Sequence, residues 1–379
     1  MKKAVMIIFS CALILCCIGF AFNVFADKND KKASTEEKVQ SSEIEKVTEE
    51  PENEDTEIDM DNIEDDDADM DMSNAENLIG EVMDSIKKGD RNASMKKEKG
   101  KLSFTVNDVK NVEKLEVEDP SAYITVLKGN SENIQIDVEY DIRVETQENL
   151  DKAKAAIGID SNISNDTCKL TLKKLSNGKS YWTIFQNSAG NNSVHLNVKV
   201  YMPTNIKDVK IVTKTGYVYA SDVKRQLNVQ SETGYVYVSN TEGQMDVTSE
   251  TGYVYVSDSK AVMNVTTKAG YIEFTNAIFI GKSSAESETG YITSNLKQAT
   301  EDGAVVTMNT GTGYIVCTFG EKLKYKSSFE MNTKSGSVNL ETSNGKVSYE
   351  VKKDKKVKCT VDNVVTISAT SELGNVFVQ

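Results

Sequence analysis

Hydrophobic positions after residue 203 recur in pairs, and successive pairs are offset by nine residues. The two members of each pair are separated by one residue, which is the pattern of a strand with one buried face. Each pair therefore predicts a short strand, and the constant offset predicts strands at a fixed interval. The pairs are Leu227 and Val229, Val236 and Val238, Met245 and Val247, Val254 and Val256, Met263 and Val265, and Ile272 and Phe274.

A second repeat, twice as long, contains two of these pairs. The segment Ser-Glu-Thr-Gly-Tyr-Val-Tyr-Val occurs at residues 231–238 and again at residues 249–256. Four glycines mark the same interval: Gly216, Gly234, Gly252 and Gly270. A fixed short period is the signature of a repeat architecture. The 18-residue unit therefore consists of two nine-residue halves, each with a strand and a corner.

The parity of the pattern places one corner near Gly234. Strict alternation from Val229 would bring Tyr235 to the buried face, but the hydrophobic pair is Val236 and Val238. The chain must therefore bend between the two halves, where glycine adopts backbone angles that other residues avoid. Each glycine of the repeat series is predicted to lie at such a bend.

These patterns predict an all-β protein whose residues 204–379 form a single-chain parallel β-solenoid with about 18 residues per coil. Later coils are looser, since Gly290, Gly313 and Gly336 follow at intervals of 20, 23 and 23 residues. Residues 101–203 alternate less regularly and predict a β capping module that covers the first coil. One helix is expected inside this module, at residues 147–156.

The first 26 residues have the pattern of an export signal. A basic start is followed by an uncharged stretch over residues 4–22, and Val24 and Ala26 provide small residues before a charged run. This pattern predicts either a signal peptide cleaved after Ala26 or an uncleaved N-terminal membrane anchor. In both cases we expect the protein outside the cell or on its surface.

The charge of the chain is concentrated in residues 27–72. This stretch carries 20 acidic and 5 basic side chains, and the whole chain has a net charge of −14. It is predicted to be a disordered acidic linker, because it is charged and lacks aromatic residues. Residues 73–100 are predicted to be a short amphipathic helix and a linker. The remaining chain is nearly neutral and has only three arginines, so nucleic-acid binding is not expected.

Tyrosines recur on the side of the strands that faces away from the hydrophobic pairs. Stacked on neighbouring coils, such rings stabilise cross-strand pairs by up to about 1 kcal/mol each. They are also predicted to present amphipathic faces to sugars or peptides, which makes them the candidate ligand-binding residues. One row contains Tyr217, Tyr235, Tyr253, Tyr271, Tyr291 and Tyr314, and a shorter row contains Tyr219, Tyr237 and Tyr255.

No catalytic, metal or cofactor site is expected from the sequence. His195 is the only histidine and is predicted to face solvent on a strand, and Trp182 is predicted to pack in the core or cap. Outside the export signal, the three cysteines Cys168, Cys317 and Cys359 are too few for a disulfide framework and are expected to be buried. The charged residues before the corner glycines are predicted to form exposed pairs, Lys214 with Glu232 and Glu250 with Lys268.

The repeated pattern apolar-x-apolar, then Thr/Ser-x-x-Gly-Tyr-Val/Ile-x-Val, follows a β module that ends in Val-Tyr-Met-Pro at residues 200–203. This arrangement resembles the bacterial "putative adhesin" family of unknown function over residues 102–379. The resemblance implies a β-solenoid on an exported or membrane-anchored envelope protein and offers no catalytic residues.

The expected function is a non-catalytic, adhesin-like binding or scaffold module that uses the elongated solenoid face. Its expected partner is a glycan or protein of the cell envelope or of a host surface, with membrane contact only through the N-terminal segment. Two alternatives stay open: an accessory protein of envelope stress or signalling, and a polysaccharide-active β-helix enzyme. The scarcity of arginine and histidine disfavours the enzyme.

Overall fold

The computed structural model describes residues 95–174, 193–296, 303–319, 327–335, 338–340, 349–353, 356–359 and 365–378. The export signal, the acidic linker, the helix expected near residue 80 and Trp182 lie outside these residues, and each stays a prediction. Within the described ranges, no helix combines the length and the apolar character needed to cross a bilayer.

The described chain is all-β, with one open and largely parallel sheet of 24 strands and a single described helix, α1 (Gln147–Ala156). The strands before residue 203 are β1 (Lys96–Val106), β2 (Lys114–Glu118), β3 (Tyr123–Lys128), β4 (Ile134–Val144), β5 (Ile159–Ser164), β6 (Thr167–Leu172) and β7 (Ser193–Met202).

The strands after residue 203 contain the repeats. They are β8 (Asp208–Ser221), β9 (Gln226–Ser239), β10 (Glu242–Thr251), β11 (Val254–Ser257), β12 (Lys260–Ala269), β13 (Ile272–Thr275), β14 (Ile278–Phe279), β15 (Lys282–Thr289), β16 (Ile292–Leu296), β17 (Ala304–Thr312), β18 (Ile315–Phe319), β19 (Ser327–Ser335), β20 (Val338–Leu340), β21 (Tyr349–Lys353), β22 (Lys356–Cys359), β23 (Val365–Leu373) and β24 (Val376–Val378).

The repeat strands pair in parallel with an offset of one repeat unit, as the sequence predicts. Strand β10 pairs with β9 on one side and β12 on the other, and Met245 lies between Leu227 and Met263. Strand β11 pairs in the same way with β9 and β13. Each unit thus contributes one strand to each of two series. We call the series through β10 ladder A and the series through β11 ladder B.

Strands β8 and β9 run through the bend without interruption and belong to both ladders. The N-terminal part adds one further unit, because β2 pairs with the first half of β8 and β3 pairs with its second half. The hydrophobic pairs named above are all buried, with relative exposures of 0–1%. They form one core that continues from the N-terminal strands into the repeats.

Helix α1 has the bounds expected from the sequence. Thr146 caps its first turn, since its hydroxyl accepts a hydrogen bond of 3.1 Å from the Asn149 backbone N–H. A cap of this kind satisfies an N–H group that has no partner inside the helix. The helix buries Leu150, Ala153 and Ala156 against the core. One expected boundary was wrong: β1 begins at Lys96, so residues 96–100 are strand rather than linker.

The corner between successive units carries a series of Asp and Asn residues that the sequence analysis did not single out. Asp222, Asn240, Asp258 and Asn276 recur once per unit and have left-handed backbone angles, with φ between 46° and 63°. Asn and Asp tolerate this conformation better than other non-glycine residues. Asn276 donates a hydrogen bond of 3.2 Å to Asp258 in the preceding unit, and Asn240 likewise donates to Asp222. The second corner of each unit is therefore stabilised by its own side chains.

The last repeat does not lie at the end of the stack. Strand β23 pairs in parallel with β17 on one side and with β19 on the other. Strand β24 lies in the same way between β18 and β20. The C-terminal unit is thus inserted between two units that precede it in sequence, and β22 then pairs with β19 in the antiparallel sense.

This insertion predicts which cysteine pair can be cross-linked. Thr312 and Leu373 are directly paired, whereas Ser335 lies on the far side of Leu373. Neighbouring strands are about 4.8 Å apart, within the range that a disulfide bridges, and next-nearest strands are about twice as far apart. We expect Thr312→Cys with Leu373→Cys to form a disulfide under mild oxidation, seen as a shift on a non-reducing gel. Thr312→Cys with Ser335→Cys should form none; the reverse result would contradict the insertion.

Candidate functional site

The candidate tyrosines all lie on the outward side of ladder B. Their sequence neighbours Val218, Val236, Val254 and Ile272 point into the core and are fully or almost fully buried. The strands are in register, so a tyrosine lies beside the equivalent position of the next unit, as Tyr217 lies beside Tyr235 and Tyr237 beside Tyr255. We call Tyr217, Tyr235, Tyr253, Tyr271, Tyr291 and Tyr314 the outer row, and Tyr219, Tyr237 and Tyr255 the second row.

The outer row changes its geometry along the stack. The Tyr253 ring is tilted by 44° to both Tyr235 and Tyr271, with centroid separations of 6.2 and 6.0 Å. Further on, Tyr271 and Tyr291 stack at 4.9 Å, and Tyr291 and Tyr314 stack at 5.2 Å with almost parallel planes. The end of the row near Tyr314 is therefore the more regular part.

The outer row begins one unit earlier than the sequence predicted, at Tyr123. The register of β3 against β8 pairs Ile124 with Val218, which places Tyr123 beside Tyr217. The corner before Tyr123 lacks the Thr-Gly signature. Instead, the Asp119 carboxylate accepts hydrogen bonds of 2.9 Å from the backbone N–H groups of Ser121 and Ala122. A search for tyrosine in the alternating pattern of β3, rather than after glycine, would have found this residue.

The second row is less exposed than expected, which corrects the expectation that both rows lie on the surface: two of its rings are buried and Tyr237 is half-buried. Tyr219 is 7% exposed and Tyr255 is 5% exposed, although neither belongs to the aliphatic core. Tyr237 stacks on both of them, at 5.1 and 4.8 Å. The Tyr219 hydroxyl lies 3.0 Å from the Ser239 hydroxyl of the next unit. Tyr219 and Tyr255 are therefore part of the packing and offer little area to a ligand.

Ring orientation corrects a further expectation, that the tyrosines present flat faces. Where the rings of successive units stack, their faces lie against one another. Between Tyr271 and Tyr314 such a row shows mainly ring edges and phenolic groups to solvent. The strand register places Asn375 beside Tyr314, so the row ends in a ring that is partly exposed. The chemistry of the outer row is thus a line of hydroxyl groups that ends at the Tyr314 ring.

Burial favours the neutral form of three of the tyrosines. It raises the pKa of Tyr217, Tyr237 and Tyr123 above the ordinary value of 10, because the phenolate is poorly solvated there. These three hydroxyl groups therefore remain able to donate hydrogen bonds throughout the physiological pH range.

The exposed end of the outer row is an apolar patch. Tyr314 is 39% exposed, and Leu373, on the adjacent inserted strand, is 55% exposed. Among the described residues, Ile163 is the only other large hydrophobic side chain with comparable exposure, at 39%. Two of these three side chains therefore belong to neighbouring strands at one end of the tyrosine face.

One acidic side chain interrupts the second row. Glu273 is paired with Tyr255 in the preceding unit and with Thr293 in the following one, so it occupies the place of a fourth ring. It is partly buried, and the Tyr253 hydroxyl donates a hydrogen bond to its carboxylate. Burial raises the pKa of Glu273 above its ordinary value of 4.5. The sequence analysis did not single out this residue.

The charged residues at the corner pair as expected. Lys214 lies 3.6 Å from Glu232, and Lys268 lies 2.6 Å from Glu250. All four side chains are more than half exposed. Exposed pairs of this kind contribute under about 1 kcal/mol, so they order the corner without creating a reactive group.

His195 and the described cysteines have structural surroundings. His195 is partly buried rather than solvent-facing; it lies opposite Asp141 on the neighbouring strand, and burial lowers its pKa. Cys168 and Cys317 are buried free thiols, as expected, and burial raises their pKa values to about 11 and about 12. Such thiols are unreactive at neutral pH. In the part of the chain that the structure describes, no group of three or more potential metal ligands occurs.

The structure is similar to those of several bacterial proteins. A "putative lipid binding protein" from Parabacteroides distasonis has 13% identity and a TM-score of 0.37, over 76% of this chain and 98% of that one. A "putative adhesin" from Bacteroides fragilis has 12% identity and a TM-score of 0.36, over 74% and 97%. A "putative cell adhesion protein" from Clostridium sporogenes has 10% identity and a TM-score of 0.24, over 74% and 99%.

These identities and TM-scores are too low to carry an argument about ligand or activity. No curated protein sequence matches the chain at a significant level. Fold and site together define a repetitive all-β protein with a long, open, largely parallel sheet and a tyrosine-lined face. The chain belongs to the Toastrack DUF4097 family, whose sequence model matches residues 112–378.

Proposed function

We propose that the chain is a non-catalytic, exported surface protein that binds a glycan of the cell envelope or of a host surface. In this proposal residues 204–379 form a β-solenoid built from the repeat units, and residues 101–203 cap its first coil. The N-terminal signal or anchor brings the folded part to the outside of the cell. The acidic linker holds it away from the membrane.

The observation that carries the proposal is the outer row itself, with one tyrosine in every unit from Tyr123 to Tyr314. A row with one tyrosine in each unit suits a ligand that is itself a linear repeat. Neutral phenolic groups donate and accept hydrogen bonds, as sugar hydroxyls do. The partly exposed Tyr314 ring adds an apolar contact at the end of the row, and Leu373 is exposed on the neighbouring strand.

The spacing favours a glycan over an extended peptide. Adjacent units are about 4.8 Å apart, whereas a peptide strand advances about 3.4 Å per residue and shows every second side chain to one face. A pyranose unit is close in length to one unit of the protein, so successive sugars meet equivalent hydroxyl groups. We therefore expect oligosaccharides longer than three sugars to bind more tightly than shorter ones.

Replacing Tyr314 by serine is expected to weaken glycan binding by about three- to tenfold. The partly exposed Tyr314 ring would be lost, and aromatic contacts contribute about 0.5–1.5 kcal/mol. Binding of the full chain to a panel of envelope and host glycans, followed by titration of the best ligand, would measure the change. Leu373→Ser should have an effect of the same sign.

The matched control is Ile163→Ser, because Ile163 and Tyr314 are equally exposed and lie in different parts of the fold. This variant should bind as the unmodified chain does. Equal losses in Tyr314→Ser and Ile163→Ser would contradict a site at the tyrosine face. Release of shorter sugars from the ligand during the titration would instead favour an enzyme.

A further inference from the structure

Glu273 differs from every other residue on the tyrosine face. Around it in the two rows lie Tyr253, Tyr255, Tyr271 and Tyr291, and the strand register places Thr293 on its far side. From the unit of Tyr217 to the unit of Tyr314, it is the one charged side chain in these rows, counting the residues that the structure describes. A carboxylate among rings is costly unless something compensates its charge.

No cation compensates Glu273 within the described part of the chain. Its hydrogen bond from Tyr253 is neutral, and the ion pairs of the neighbouring corner are formed between Lys268 and Glu250. Glu273 itself takes part in no described ion pair. Its equivalents in the preceding units are Tyr219, Tyr237 and Tyr255, so a large neutral ring would fit at this position. The fold therefore does not require a charge here.

We propose that Glu273 binds an ammonium group of the ligand, and that the ligand is accordingly a glycan with free amino groups, such as a de-acetylated amino-sugar polymer. This inference rests on the proposed function and narrows its ligand class. The partly buried carboxylate accepts a charge-assisted hydrogen bond from the ammonium group. The neighbouring tyrosine hydroxyls bind the sugar hydroxyls on either side.

Two properties of the site favour an ammonium group over a neutral donor. A hydrogen bond between ions is about twice as strong as one between neutral groups, and it is strengthened where water is partly excluded. Aromatic rings attract cations through their π electrons, so the tyrosines around Glu273 add to the attraction. A glycan in which all amino groups are acetylated would leave the carboxylate uncompensated.

The test compares two oligosaccharides of equal length, β-1,4-linked glucosamine and β-1,4-linked N-acetylglucosamine, as ligands of the full chain at about pH 6, where most of the amino groups are protonated. We expect the unmodified chain to bind the glucosamine oligomer about tenfold more tightly. Glu273→Gln should remove most of this preference. Glu286→Gln is the matched control, because Glu286 is exposed on ladder A and its replacement changes the net charge equally. It should keep the preference.

A pH titration of the unmodified chain gives a second readout that does not depend on a variant. The carboxylate is charged above its pKa, which burial raises above 4.5. The preference for the glucosamine oligomer should therefore be present at about pH 6, where the amino groups are protonated, and should disappear as the pH falls through the pKa of Glu273. A preference that persists in Glu273→Gln, or that does not respond to acid, would overturn the inference.

The same experiment separates this inference from the proposed function. If both oligomers bind equally and Tyr314→Ser weakens both, the glycan-binding face is supported and the role of Glu273 is refuted. If the unmodified chain prefers the glucosamine oligomer, and Tyr314→Ser weakens the binding of both oligomers without removing that preference, both proposals are supported. If neither oligomer binds, the amino-sugar ligand is refuted, and the glycan panel alone decides the proposed function.

Discussion

Replacing Gly252 by alanine is expected to destabilise the protein by about 4 kcal/mol or more, which is a rare magnitude for a single substitution. Gly252 has φ 144°, and a Cβ atom there would overlap the carbonyl oxygen of Gly234 and lie 2.8 Å from its carbonyl carbon. Both atoms belong to backbone that pairs with its neighbours. The clash therefore cannot be relieved by rotating a side chain.

A control separates this clash from the strain of a positive φ. Gly303 has φ 81°, and a Cβ atom there would have no neighbour within 4 Å. Gly303→Ala should therefore cost only the conformational strain, about 1–2 kcal/mol. Chemical denaturation of both variants would measure the difference. If Gly252→Ala lost no more stability than Gly303→Ala, the close approach of the corners would be refuted.

The row of corner glycines, which includes Gly234, Gly252 and Gly270, also explains why the tyrosines of the outer row stack. A Cβ atom at Gly234 or Gly270 would meet the preceding glycine in the same way as at Gly252. The corners can therefore approach as closely as neighbouring strands do. Each glycine is followed at once by a tyrosine of the outer row, so the same close approach sets the distance between rings. In each Gly-Tyr dipeptide the glycine therefore sets the distance between neighbouring units, and this distance determines how far apart the tyrosine rings lie.

The sequence predicted those parts of the fold that depend on a local rule. The inward pairs, the bend at each glycine and the parallel offset of one repeat unit follow from alternation and from glycine's backbone freedom. Helix α1 was predicted with its bounds, and the Thr146 cap found in the structure agrees with the start of the helix. The sequence of one or two repeats is enough to predict each of these features.

Strand order could not be predicted in the same way. Strand β23 fits between β17 and β19 because its alternating residues match those of either neighbour. Repeats with the same pattern of buried residues are interchangeable as partners, so no local rule determines which unit lies next to which. The insertion depends on the packing of the whole stack.

The candidate site was predicted in part. The sequence placed the tyrosines on the outward side and in register, and the structure confirms this placement. The burial of Tyr219 and Tyr255 was missed, since a position that faces away from the core can still be covered by its own neighbours. Glu273 was missed because a single change in a repeat is not visible as a pattern. The exposed patch at Tyr314 and Leu373 depends on the inserted strand and could not be foreseen.

The second large effect is expected at Phe274, whose replacement by alanine should cost about 3–5 kcal/mol. Phe274 and Phe279 are fully buried and meet edge to face, with ring centroids 5.0 Å apart. The units around them have small side chains at the core, including Ala261, Ala277 and Ala285. These residues cannot extend into the space that the ring would leave, so a cavity would remain.

Val256→Ala is the matched comparison, because Val256 occupies the same position one unit earlier and is equally buried. It removes fewer buried carbons and should cost clearly less than Phe274→Ala. Phe274→Leu should lie between the two, since leucine fills part of the space. If Phe274→Ala were no more destabilising than Val256→Ala, the neighbouring core residues would have to move and fill the space that the Phe274 ring had occupied. That would be inconsistent with a stack in which strand pairing on both sides fixes the distance between the ladders.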